Sequence, residues 1–183
     1  MSEDLIIKHC SPTLAGLKTG NLFSCACYSK KQVIKEIAKL NQFFVPKGLR
    51  VIPLKFSGNR ALIYVFRPSK LASDLSDDYS CYLLKNQGYK LTDVSGCVRQ
   101  LIRRMSTSDE FPHEIGLFLG YPPEDVNGFI LHKGNCCKCT GCWKVYGNEE
   151  KALKQFAKFK KCSDIYYSKW LHGTPIQKLT VAV

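Results

Sequence analysis

Apolar positions recur at helical spacing in several stretches of the chain. Between Lys30 and Phe44, the residues Val33, Ile34, Ile37, Ala38, Asn41 and Phe44 fall near one face and Lys31, Lys35 and Lys39 lie opposite, which predicts an amphipathic helix stopped by Pro46-Lys47-Gly48. Val94, Cys97, Val98, Leu101, Ile102 and Met105 predict another, with Arg99, Arg103 and Arg104 turned away from its apolar face. A last one carries Ala152, Leu153, Phe156 and Phe159 inward, is capped by Asn148, and turns Lys151, Lys154, Lys158 and Lys161 mostly outward. Ser11-Pro12 reads as the start of a short helix ending near Gly20, because a hydroxyl at the cap and proline at the first helical position suit a helix N-terminus. Shorter helices are expected over 69–76, 78–87 and 124–132.

The remaining apolar runs read as strands. Leu49 to Phe56 and Ala61 to Arg67 flank Ser57-Gly58-Asn59-Arg60, a hairpin signal. Asn21 to Tyr28, His113 to Leu119 and Cys142 to Tyr146 read as further strands, and Leu179 to Val183 as an edge strand. Helices interleaved with these runs predict an α/β or α+β fold, with a mixed central sheet of about five or six strands containing the 49–67 hairpin and covered by helices. With no repeat, linker or composition break, residues 1–183 are expected to form a single domain.

The 183 residues are 45% hydrophobic and 23% charged, as in ordinary globular proteins. The segment Met1 to Cys10 carries Glu3 and Asp4 and lacks the basic and apolar regions of a secretion signal. The longest strongly apolar run, Ala61 to Phe66, is too short for a membrane span. A cytosolic protein is therefore expected, with its ten cysteines as reduced thiols. The formal charge of +12 favours acidic partners. Nucleic acid fits less well, since no RNA-recognition, zinc-finger or helix-turn-helix signature is present.

Several long strings are specific enough to carry a family resemblance. They are His9-Cys10-Ser11-Pro12-Thr13-Leu14-Ala15-Gly16-Leu17-Lys18 with Asn21-Leu22-Phe23-Ser24-Cys25, then Ala61 to Pro68, Phe111 to Val126, and Trp143-Lys144-Val145-Tyr146-Gly147. On these the chain resembles, over nearly its whole length, the domain-of-unknown-function family 3793 of anaerobic Firmicutes. The resemblance implies no activity. It does imply a setting in iron or redox physiology and a flavodoxin-like acidic protein as partner. His9, Thr13, Trp143 and Lys144 stand out as polar or aromatic members of these strings.

Two groups could carry chemistry. Cys10, set before the expected helix start, would have its thiol acidified by the helix dipole, and His113 at a strand opening could act as its base, with Glu114 or His9 orienting the ring. That arrangement would make a cysteine-dependent hydrolase or transferase; the plain alternative is that both residues pack. Cys136, Cys139 and Cys142 have C-x₂-C-x₂-C spacing, with Cys137 beside them, which suits a zinc ion or an iron–sulfur cluster. A fourth ligand is not fixed: Cys137, His132, Cys25, Cys27 or a residue of a partner protein could supply it. The plain alternative is a loop of reduced thiols. The favoured reading is an accessory protein that docks an acidic partner through its basic lysine faces. Convergence of Cys10, His113, Glu114 and Lys144 in one cleft would favour the enzyme instead.

Overall fold

The computed structural model describes residues 2–107 and 110–182 and divides into two compact units. One comprises the chain up to Ser69 together with the segment from Phe159 onward; the other runs from Lys70 to Lys158.

The first unit is built on an antiparallel sheet of order β1-β3-β2, with β1 at Gly20–Ala26, β2 at Arg50–Ser57 and β3 at Arg60–Phe66. Gly58, at φ +52°, turns the β2–β3 hairpin where the sequence placed it. Pro53 lies on β2, an edge strand, where its missing N–H is tolerated, and the ladder shifts register between Pro53 and Lys55. Phe23 and Cys25 of β1 pair with Ile63 and Ala61 of β3. These four pack in one buried cluster with Ile6, Ile7, Cys10 and Leu14 of α1 (Glu3–Leu14) and Val33, Ile37 and Phe44 of α2 (Lys30–Phe44). Helix α2 has the expected bounds, and Ser29 caps it by accepting from the Gln32 N–H.

Helix α1 corrects the expectation for Ser11-Pro12. It begins at Glu3 and contains Pro12 in its last turn. Ile6, Ile7, Cys10 and Leu14 form a continuous helical stripe with no solvent exposure, which outweighs the one backbone bond that proline removes. Cys10 is therefore inside a helix, not at its N-terminus.

The second unit is mainly helical. Helix α3 (Pro68–Leu75) runs across the first boundary. It is followed by α4 (Asp78–Asn86), α5 (Val94–Thr107), α6 (Ile115–Phe118) and α7 (Pro123–His132). Strands β4 (Cys139–Thr140) and β5 (Lys144–Val145) pair antiparallel, and α8 (Glu149–Leu171) then crosses back into the first unit. Asp77 and Asn148 each accept from a backbone N–H three residues on and so start α4 and α8.

The structure is mixed α and β, but its sheet has three strands, with β4 and β5 as a separate two-stranded ladder, instead of five or six strands in one layer. The run His113 to Leu119 is not a strand: it turns at His113 and forms the short helix α6. Residues 114–119 are all buried, and a run that is buried on every side carries no period to separate strand from helix. The predicted strand Cys142 to Tyr146 is reduced to Lys144–Val145. The predicted edge strand at 179–183 gives way to α9 (Ile176–Leu179), after which Val181 donates its N–H to the Leu14 carbonyl; Val183 lies outside the described residues. Leu153, expected inward, is half exposed. Among the described residues no helix is long and apolar enough to cross a membrane.

Candidate functional site

Most of the polar residues in the resemblance strings are anchors inside one unit. In the first unit, Arg67 follows β3 and has no exposed surface. Its Nε donates to the Thr13 carbonyl at 2.7 Å, Nη2 to Leu14 at 2.7 Å and Val181 at 2.8 Å, and Nη1 to Lys47 at 3.2 Å. Thr13 and Leu14 end α1, so the guanidinium meets the negative end of that helix, which eases burial of a charge that pairs with no carboxylate among the described residues. Burial still pulls its pKa below the usual value. Lys47 donates to the Gln177 and Thr180 carbonyls at the end of α9 in the same way. Thr13 gives its hydroxyl proton to Asn21 Oδ1 at 2.7 Å, and His9 lies exposed with its ring stacked on Phe23 at 6.0 Å.

Cys10 sits in this core with no exposed surface. Burial pushes its thiol far above the ordinary value, and Lys18 offsets this only in part. A protonated, solvent-free thiol in mid-helix lacks both features that the nucleophile reading required of it.

In the second unit, Asp125 of α7 is the corresponding anchor. Its Oδ2 accepts from Trp143 Nε1 at 2.7 Å, and its Oδ1 accepts from the backbone N–H groups of Tyr146 and Gly147, each at 2.7 Å. This carboxylate ties α7 to β5 and the turn after it. Close backbone packing supports the tie: a Cβ on Gly128 would stand 2.4 Å from Tyr146 Cγ, and one on Gly147 would stand 2.6 Å from Glu124 Cγ. Trp143 also packs edge-on against Phe156. Lys144 donates to the Gly134 carbonyl at 2.6 Å, with its Nζ 5.9 Å from the Phe129 ring centre.

The cysteine cluster occupies the loop before β4 and the β4–β5 hairpin. Cys136 and Cys142 are exposed; Cys137 and Cys139 are partly buried. Burial, and then the charge of neighbouring Glu149, push the Cys139 thiol up, which favours its protonated form over the thiolate a metal needs. His132 stacks on Tyr146, while Cys25 and Cys27 lie in the core of the first unit. Among the described residues no three His, Cys, Asp or Glu side chains are grouped to hold a metal ion. The spacing seen in the sequence is thus not closed into a zinc or cluster site in this arrangement.

His113 and Glu114 line a cleft of about 560 Å³ in the second unit, with Arg104, Phe129 and Lys133 among its other walls. Glu114 is almost fully buried and accepts from Arg104 Nε at 2.7 Å and from the Tyr89 hydroxyl at 3.1 Å. It therefore orients an arginine, not the imidazole. The exposed His113 ring leans on Phe129 at 4.9 Å. Arg104, which sequence reasoning left as one of several outward cations, is the partner that pattern analysis missed; ten residues separate it from Glu114, and no helical or strand spacing links them.

A second groove, of about 390 Å³, lies between α5 and the loop before it and is lined by Lys90, Thr92, Arg99, Gln100 and Arg103. Gln100 fixes that loop: its Oε1 accepts from the Lys90 N–H at 2.8 Å and its Nε2 donates to the Lys90 carbonyl at 2.7 Å. Asp93 is the nearby acid, and its Oδ1 accepts from the Gly96 N–H. Lys90, Arg99 and Arg103 are exposed and make no ion pair among the described residues.

These features define a mixed α and β protein in which buried charges brace each unit internally and exposed cations line a groove. The chain belongs to the family described as "Protein of unknown function (DUF3793)", whose model matches residues 6–180. No curated protein and no solved structure matches it.

Proposed function

We propose that the chain is an accessory binding protein that docks an acidic protein partner through the Lys90–Arg99–Arg103 groove. The observation that carries this reading is the groove itself. Three exposed cations with no ion pair among the described residues stand along a surface whose loop is clamped to α5 through Gln100. Arg99 and Arg103 are four residues apart and so lie on one helix face, where guanidinium groups can take carboxylates in bidentate fashion. The formal charge of +12 adds long-range attraction for an acidic surface. Iron or redox physiology in a reducing cytosol is the setting that the family resemblance supports, and a flavodoxin is the acidic partner to test first.

Calorimetry of the chain with a flavodoxin, at low and at raised salt, tests the proposal. The native chain should bind with an affinity that falls as salt rises, and the exposed triple variant Lys90→Glu/Arg99→Glu/Arg103→Glu should lose at least about tenfold. Equal binding by the native chain and the triple variant, or none by either, would count against the groove.

A further inference from the structure

We infer that the 560 Å³ cleft of the helical unit is a binding site for a small organic anion with a planar apolar body. This site is separate from the groove above and does not depend on the docking proposal.

Arg104 is held on several sides. Its Nε is bonded to Glu114, its Nη1 donates to the Gln87 carbonyl at 2.8 Å, and the guanidinium lies 5.4 Å from the Tyr89 ring centre. Glu114 is itself fixed by the Tyr89 hydroxyl. Three restraints thus orient the guanidinium, and its Nη2 makes no hydrogen bond among the described residues although Arg104 lines the cleft. A pre-oriented guanidinium with donors to spare is what an anionic head group needs, because little rotamer entropy remains to be lost on binding. Lys133, exposed at the end of α7, supplies a second cation to the lining.

The rest of the lining sets the body of the ligand. The Phe129 ring is held between His113, 4.9 Å away, and Lys144 Nζ, and Ile130 and the half-exposed Phe111 extend the apolar surface. Gly134 backs that ring so closely that a Cβ there would stand 3.2 Å from it. The half-exposed Phe111 offers the aromatic face on which a planar body can stack. The cleft volume lies within the usual range for small-molecule sites, roughly 300–1,000 Å³. Glu110 is the remaining acid on the lining, so the anionic head belongs with the cations Arg104 and Lys133.

The probe is 2-naphthoate, titrated into the whole chain by calorimetry with amide NMR, beside 2-naphthyl phosphate and the neutral 2-naphthalenemethanol. Either anion, or both, should bind at one site at least about tenfold tighter than the alcohol, the value of one charge-assisted hydrogen bond; which anion is preferred identifies the head group. Arg104→Lys should weaken the preferred anion by a similar factor. If that variant fails to fold, Lys133→Asn serves, since its site is exposed and its φ of +50° suits asparagine; it should weaken the anions and leave the alcohol unchanged. The triple variant of the groove should bind naphthoate as the native chain does. Saturable binding by neither anion, equal binding of the alcohol, or anion binding that Lys133→Asn leaves untouched would overturn the inference.

Discussion

Replacing Asp125 with asparagine changes one atom and tests whether the second unit is braced as described. Asp125 is 3% exposed, and its three acceptor contacts all measure 2.7 Å. In the variant, the amide oxygen can keep the Tyr146 and Gly147 N–H groups, but both bonds pass from charge-assisted to neutral, a loss of about 1 kcal/mol each. The amide NH₂ then faces the indole N–H of Trp143, donor against donor, and a buried donor left unpaired costs about 1–3 kcal/mol more. Relief of the buried charge offsets part of this, which leaves a net destabilisation of about 3 kcal/mol. Trp143→Phe removes the indole donor, so in that background Asp125→Asn should cost about 1 kcal/mol, a coupling near ~2 kcal/mol. Urea unfolding followed by circular dichroism, with amide exchange read over 123–147, gives all four corners of the cycle. A cost for Asp125→Asn below about 1 kcal/mol, or a coupling of zero, would refute the claim that this carboxylate holds α7 to the Trp143–Gly147 segment.

Three further outcomes follow from the same reasoning. Arg67→Met should destabilise the first unit by about 3–5 kcal/mol in urea unfolding, because carbonyls at the end of α1 and at Val181 lose their donor; a loss under about 1 kcal/mol would contradict the anchor role. Native-state alkylation with iodoacetamide, read residue by residue, should modify exposed Cys136 and Cys142 quickly and buried Cys10 only as fast as the first unit opens; a Cys10 that reacts as fast as Cys136 would reopen the nucleophile reading. Stability should fall on the alkaline side, since burial raises the Cys10, Cys97 and Cys162 thiols above their ordinary 9.0 and lifts Tyr121 from 10.0 to about 12. In the folded chain these groups stay protonated where the unfolded chain ionises, so their contribution is full below pH 9 and drains away as pH rises further, by up to about 1.4 kcal/mol per pH unit for each group. A urea midpoint that stays constant between pH 8 and 11, with reductant present, would show that they are not buried as described.

Sequence pattern located the elements that rest on local chemistry. Helix α2 announced both ends through its apolar face and the Pro46-Lys47-Gly48 stop, and the hairpin announced itself through Gly58. The pattern failed where tertiary burial overrode a local signal. Pro12 reads as a helix start, yet the stripe Ile6, Ile7, Cys10 and Leu14 carries α1 through it. The apolar run before Gly120 reads as a strand, yet α6 is coiled because its residues are buried on all sides. The sheet was overcounted for the same reason, since three apolar runs in the second unit or at the tail were assigned to it. At the candidate sites, His113 and Glu114 do line one cleft, but the group that organises it is Arg104, and the Asp125 and Arg67 anchors join segments far apart in the chain. Contacts of that range leave no period in a sequence.

The proposed recognition surface is the arginine–lysine groove, and the buried polar groups serve as braces. Amide NMR of the whole chain during titration with a flavodoxin tests this most directly. Shifts confined to residues 88–103 that disappear at high salt are the predicted result. Shifts centred instead on the segments around Cys10 or Cys136–Cys142, and insensitive to salt, would contradict it.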